Sequence, residues 1–415
     1  MRTEDAKNHT SGRVRLRIVL LAETFTPKMG YSENMLSKYL ARLGADVHLV
    51  ANDLRPYYQL PEYGQIYSTF HDDPPKANTV EKIDGFTVHL LSHIRVLGYV
   101  RMRGLFSKLL RLRPDVVQCS AAIGWIPLDA ALMKPRFGYK LFTANHTHAS
   151  VFPLATRDTP WWNREKIRCL LTRAIPGRLV SIQTERCYSI SEDCAEVATR
   201  FFGVQRSKST VCELGVDHER FRPIRREAGA AERAQLRSRF GWTDDDIVCI
   251  YSGRLTEDKN PLLLAAAIGR MFRPDQHGYR GLFVGAGPQA ERISRQAGCT
   301  VVPFVPVEQL GAYFRSADIG VWPTQESLSM IEAAACGIPI VINHTVSTRE
   351  RIDGNGLTYL LGDVEDLTRV LRQLGDRDLR QAMGECGARR MREEFSWEKI
   401  AKRRLDQYRF ALDGR

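Results

Sequence analysis

Apolar residues along this chain follow two rhythms, short continuous runs and longer stretches with apolar positions every three or four residues, and their order predicts strands alternating with helices. The first run, Leu16 to Ala22, reads as a buried strand. A turn-rich loop from Thr24 to Tyr31 holds Pro27 and Gly30. Met35, Leu36, Tyr39, Leu40 and Leu43 then recur at helical spacing from Ser32 until Gly44 stops them. Asp46 to Ala51 make the next strand. Strand, loop, helix, strand opens a Rossmann-type domain. The loop lacks G-x-G-x-x-G, so the signature of a dinucleotide-dependent oxidoreductase is missing.

Further strands are predicted at Lys82–Leu91, Asp115–Cys119, Tyr139–Thr143, Arg186–Ile190 and Thr210–Leu214, with Ser191 capping a helix that runs to Phe202. Between Arg55 and Lys82 the chain is rich in Tyr, Pro, Asp and Gly and reads as an excursion from the sheet. Arg95 to Arg113 hold six basic residues and no acidic one, interleaved with Leu97, Tyr99, Val100, Met102, Leu105, Phe106 and Leu109. They predict a basic amphipathic helix, which either packs on the core with its arginines in water or lies on a membrane surface.

The first domain closes near Pro223, a charged, alanine-rich segment from Arg225 to Asp246 predicts a linker helix, and the alternation resumes. Strand Ile247–Tyr251 leads to a helix with Asn260 as N-cap and Pro261 at its first position. Leu282–Val284 and Thr300–Pro303 predict strands, and Gln289–Ala297 and Val307–Ser316 predict helices. Asp318 to Val341 form a strand, a polar loop, a helix from Ser327–Ser329 to Gly337, and a strand. Helices at Asp363–Leu374, Arg377–Glu394 and Trp397–Leu412 end the chain. Two α/β domains of about 200 residues follow, each large enough for its own core.

Composition narrows the function. The 415 residues carry 60 basic and 48 acidic side chains, a formal charge of +12, which favours an acidic partner such as a nucleotide, a nucleic acid or an anionic membrane. Nine scattered cysteines, an odd number with no C-x-x-C pair, predict reduced thiols in a cytoplasmic protein and argue against zinc. No apolar segment reaches eighteen residues, so no membrane span is predicted. No recognised nucleic-acid module appears, and the basic residues are spread over both halves.

Candidate chemistry gathers where strands end, because ligands of doubly wound sheets bind beyond the carboxyl ends of the strands. Ser252-Gly253-Arg254 and Lys259 place a guanidinium and an ammonium in one strand-to-helix loop, beside a glycine that lets backbone approach a ligand. Arg can fork across two phosphate oxygens while Lys adds a point charge, which neutralises a pyrophosphate without a metal ion. Glu326 and Glu332 lie in the corresponding loop and helix of the Asp318–Val341 unit, where a carboxylate can accept hydroxyl hydrogen bonds. Their other reading is a dipole-favoured first-turn residue and a solvent-facing one. Asn145-His146-Thr147-His148 follow the Tyr139 strand, so either histidine suits a cleft or a structural role. The Asp244-Asp245-Asp246 run sits at the amino end of a strand, away from this site. Trp161-Trp162 beside Arg164, Lys166, Arg168 and Arg173 suits a membrane interface, a lipid-linked acceptor or a packed loop.

The G-R-x4-K element at Gly253, Arg254 and Lys259, Val284-Gly285-Ala286-Gly287-Pro288, the E-A-x-A-C-G segment Glu332–Gly337, and Leu214-Gly215-Val216-Asp217 with Phe221 and Pro223 occur together and in order. In this the chain resembles the retaining glycosyltransferases of family 4. The resemblance implies a GT-B fold, two Rossmann-like doubly wound domains facing a cleft. These would be an acceptor-binding domain over 14–223, a nucleotide-sugar-binding domain over 224–395 and a final helix, 396–415, crossing back to the first. It implies that Arg254 and Lys259 neutralise the departing diphosphate, that Glu332 holds the ribose hydroxyls, and that Glu326 lies near the donor sugar. Amides of Ser327, Leu328, Ser329 and Met330 would face the phosphates, Gly30 and Gly253 would approach the donor, and His146, with His148 second, would meet the acceptor or donor sugar. The family spaces its two glutamates eight apart around a glycine-containing loop; here Ser-Leu-Ser-Met-Ile separates them and the spacing is six. The expected partners are a nucleotide-sugar donor and a saccharide or lipid-linked acceptor, with contact at the inner face of an anionic membrane, no cofactor and no metal. A sugar phosphorylase, a nucleotide-sugar epimerase and a nucleic-acid-binding protein are the alternative classes.

Overall fold

The computed structural model describes residues 15–414 apart from positions 69, 72, 74, 157–159, 161, 225, 226, 275 and 347–351. Val14, Trp161 and Arg225, which enter the readings above, lie outside the described residues.

The first half builds one sheet from β1 (Arg17–Leu21), β2 (Asp46–Asn52), β3 (Val80–Ile83) and β4 (Phe86–Leu91), a separate hairpin of β5 (His93–Val96) and β6 (Tyr99–Met102), and then β7 (Val116–Cys119), β8 (Lys140–Asn145), β9 (Thr184–Ser189) and β10 (Ser209–Val211). The eight strands of the sheet run in the order β10-β9-β8-β7-β1-β2-β4-β3, parallel except for β3 on β4. Near-continuous apolar runs such as Ile18–Leu21 and Val116–Val117 are what a parallel sheet covered on both faces requires.

Two sequence expectations change here. The strand expected over Lys82–Leu91 folds back at Asp84-Gly85, whose φ angles of 47° and 89° make the two-residue hairpin turn that right-handed strand twist favours. The single helix expected over Arg95–Arg113 is instead the β5–β6 hairpin, turning at Leu97 (φ 51°) and Gly98 (φ 81°), followed by a helix only from Leu105 to Leu112. Gly104, also left-handed at φ 77°, separates the two, so the period-two alternation of Val96, Val100 and Met102 wins over the longer basic pattern.

The second half forms β11 (Ile247–Ser252), β12 (Tyr279–Val284), β13 (Cys299–Val302), β14 (Ile319–Trp322), β15 (Ile340–Asn343) and β16 (Gly356–Tyr359), all parallel in the order β13-β12-β11-β14-β15-β16. β16 was not among the predicted strands. The helix Glu227–Arg239 anchors this sheet: Arg233 and Arg237 reach Asp318 at 2.7 and 3.1 Å. Asp246 accepts from the Thr243 amide at 2.9 Å and pairs with Arg280 at 3.1 Å, so this member of the acidic run is structural.

The final helix, Trp397–Leu412, returns to the first domain, where Trp397, Ile400, Leu405 and Tyr408 are buried with Ile18, Leu40 and Phe142. Its Arg404 donates to Gln118 at 2.8 Å. The two sheets turn the carboxyl ends of their strands toward a shared cleft, and Val307 N donates to Lys28 O across it at 3.2 Å. Among the described residues no helix is long and apolar enough to cross a membrane.

Candidate active site

The cleft holds a pocket of about 350 Å³, and Gly30, Gly253, Arg254, Lys259, Glu326, Ser327, Leu328, Ser329 and Glu332 all line it. The sequence separates these residues by up to three hundred positions; the carboxyl ends of the parallel strands bring them together.

The β11 loop is held by close backbone contact. A Cβ on Gly285 would lie 1.9 Å from the Gly253 carbonyl oxygen, so the loops after β11 and β12 can meet only with glycine there. Tyr251 Oη donates to Arg254 O at 2.8 Å and fixes the turn. Arg254 pairs with Asp258 at 3.1 Å, and Lys259 donates to Gln325, which ties this loop to the one carrying Glu326. Burial lowers the pKa of Lys259, and the neighbouring Arg254 cation lowers it further. Asn260 occupies the N-cap of the helix Pro261–Met271, but through a left-handed backbone (φ 45°) and without a capping side-chain bond.

Ser327 caps the helix Leu328–Ala335, accepting from Ser329 N at 3.4 Å. Of the amides expected to face phosphate, Ser327 N turns to Met330 Sδ at 3.3 Å and Met330 N to Ser327 O at 3.2 Å. Ser329 Oγ donates to Ser252 O and accepts from Trp322 Nε1, a lock between β11, β14 and this helix. Met330 is buried beneath the pocket wall.

Glu332 lies on the buried side of that helix, 7% exposed, with Oε1 3.9 Å from where a Cβ on Gly30 would stand. Glycine at position 30 thus keeps the first domain's loop against Glu332 and Val307. Burial, and then the charge of Asp217, push the Glu332 carboxyl up to about 8, with Arg220 opposing. Asp217 itself is held by Lys38 at 2.8 Å and by Tyr39 Oη at 2.9 Å.

The histidines part company. His148 Nδ1 lies 3.1 Å from Glu326 Oε1 and 3.1 Å from Asp193 Oδ2, bridging the two domains. Burial disfavours its charge, but the hydrogen bonds to Asp193 and Cys194 and the charge of Glu326 outweigh that and raise its pKa to about 10. Asp193 is driven well below the usual carboxylate range: burial opposes this, and the His148 and Ser191 hydrogen bonds win. Ser191, expected to cap the helix Glu192–Phe201, spends its hydroxyl on Asp193 instead. His146 faces a separate void of about 40 Å³ with Gln118, Tyr188 and Arg404. His146 is exposed at the surface, and the protein packed about it, then Arg404 and His148, lower its pKa toward about 4. Among the described residues His148, Asp193 and Cys194 are the one group spaced for a metal ion.

A wall of rings went unread in the sequence. Tyr57 stacks on Tyr67 (4.9 Å, 7°) and Tyr67 on Phe304 (5.4 Å, 10°), joining the excursion after β2 to the second domain beside Phe70. All four line the pocket with Arg254 and Lys259. The aromatic density of Tyr57 to Phe70 was the available signal, and it borders the diphosphate-suited loop.

Residues 34–220 match the family described as Glycosyltransferase Family 4, and residues 246–376 match Glycosyl transferases group 1. A D-inositol 3-phosphate glycosyltransferase from Geodermatophilus obscurus is 29% identical over 317 residues, covering 71% of this chain and 65% of that protein. One of the same name from Streptomyces avermitilis is 30% identical over 319 residues, covering 71% and 64%. The matched part spans just under two thirds of each of these relatives. In three dimensions the chain is similar to sucrose-phosphate synthase from Thermosynechococcus elongatus, with TM-score 0.69, 18% identity, and 97% and 100% of the two chains covered. It is also similar to Anabaena HepE in complex with UDP and glucose, with TM-score 0.67, 13% identity, and 95% and 99% covered.

Proposed function

The chain belongs to the group 1 glycosyltransferases of family 4 and has their GT-B fold, and we propose that it moves a hexose-type sugar from a nucleotide diphosphate sugar to an acceptor hydroxyl, with the anomeric configuration retained. Synthesis of a bacterial polysaccharide, lipopolysaccharide or glycoconjugate is the setting we infer. The observation that carries the proposal is the convergence of Arg254, Lys259 and Glu332 on one pocket of about 350 Å³. Two cations answer the charge that grows on a departing diphosphate, which is where preorganised electrostatics lowers a barrier most. Glu332, beside Gly30, suits the two hydroxyls of a ribose.

Glu326 and His148 stand at the join of the domains, where the hexose and the acceptor would meet. In this reading the acceptor proton passes to the leaving diphosphate on the same face, and no metal ion is needed. The name of these relatives makes an inositol phosphate one acceptor to try first.

A panel of nucleoside diphosphates and nucleotide sugars, read by thermal shift and then by NMR of the product anomer, tests the reading. One nucleotide should raise Tm and its sugar conjugate should give a product with the donor's anomeric configuration. No shift with any nucleotide, or an inverted product, contradicts it.

A further inference from the structure

We propose that the continuous helix 164–183, with the groove beside it, is the face by which this chain docks on a membrane surface rich in anionic lipid. The inference stands apart from the transfer reading. The helix is laid out in the reverse of one that belongs to a core. Its buried stripe is made of Cys169, Gly177, Val180 and Ser181. A Cβ on Gly177 would lie 2.0 Å from Phe202 O, so this narrow stripe presses against the end of the helix Glu192–Phe201. The larger apolar side chains face outward: Ile167, Leu170, Leu171, Ile175, Leu179 and Ile182 are 41–59% exposed. Pro176 has no N–H for the Thr172 carbonyl, and the turn ahead of it widens to a π-turn over Leu170–Ala174 without breaking the helix. About 22 Å of apolar stripe results.

Charge selects the occupant. Residues 164–183 carry five basic side chains against a single acidic one, Glu165. Trp162, 64% exposed, stands at the head of the helix, as an aromatic residue does at a lipid headgroup boundary. A second copy using this face would set arginines against arginines, whereas an anionic bilayer neutralises them while the apolar stripe enters it. A groove of about 660 Å³ runs along the helix, bounded by Arg168, Arg173, Phe152 and the hairpin tip Leu97, and reaches Thr147, the residue between His146 and His148. A chain so docked would present the loop after β8 to whatever the bilayer displays.

The test is co-sedimentation of the full chain with phosphatidylglycerol–phosphatidylcholine vesicles and with phosphatidylcholine alone, at low and high salt. Binding to the anionic vesicles, weakened by salt and reduced at least about tenfold in Leu171→Glu/Leu179→Glu, is the expected result. Leu361→Glu, on an exposed leucine of the other domain, should bind as the parent does. The proposal is overturned if the parent ignores anionic vesicles or if the double variant, with parental Tm, still binds as tightly. It is equally overturned if sedimentation velocity shows a parent dimer that the double variant dissolves, since the face would then join two copies.

Discussion

His148 and Glu326 connect the two domains through one short contact, Nδ1 to Oε1 at 3.1 Å, with Asp193 at 3.1 Å on the same nitrogen. The ring is thus a cation between two carboxylates, one from each side of the cleft. Its folded-state pKa of about 10 lies above the ordinary histidine value of about 6.5. The stabilisation is therefore complete below about pH 6.5 and is lost progressively as pH rises toward about 10. Parent and His148→Ala should differ most in Tm on the acidic side of that window and converge on the alkaline side. A difference that holds constant across it would mean that packing, and not the ion pair, accounts for the contact.

Glu332 supplies a second pH-linked outcome. With its carboxyl pushed to about 8, the residue is mostly protonated at neutral pH in the unliganded protein. An ionised carboxylate accepts two ribose hydroxyls and a protonated one does not, so nucleoside diphosphate affinity should rise as pH passes through about 8. Glu332→Gln should bind about tenfold more weakly and lose that pH dependence. Isothermal titration at several pH values reads both quantities; a parent profile that stays flat contradicts the ribose assignment.

Metal removal separates this site from one built on a divalent cation. If Arg254 and Lys259 carry the diphosphate charge, turnover in chelator should equal turnover with added magnesium. A loss of more than about tenfold in chelator that magnesium restores would show that the two side chains are insufficient.

The parallel-sheet plan was legible in the sequence because strands buried on both faces leave unmistakable apolar runs, as at Ile247–Tyr251, and because Gly253, Arg254 and Lys259 sit at fixed distances from the strand end. What escaped was set by contacts between distant residues. The hairpins at Asp84-Gly85 and Leu97-Gly98 depend on pairs of left-handed residues inside stretches whose apolar content reads equally as one strand or one helix. Tyr57, Tyr67 and Phe304 stack across 247 positions of sequence, and no local period reports that. His146 and His148, two residues apart, meet different surroundings: one borders a small void with Arg404, the other contacts Glu326.

Lys259 offers the most direct measurement. Its removal takes one cationic donor from a partly desolvated diphosphate, a loss of roughly 2 to 4 kcal/mol of transition-state stabilisation, or about thirtyfold to a thousandfold in rate. Its ammonium contacts Gln325 at the pocket wall and is no part of either core, so Tm without ligand should stay within a few degrees of the parent. Steady-state turnover of Lys259→Ala with the donor found in the nucleotide-sugar panel is the measurement. A folded variant slowed by that factor, and no longer stabilised by the donor, is the result predicted. A folded variant that turns over at the parent rate would contradict the diphosphate site, and with it the proposed transfer at this pocket.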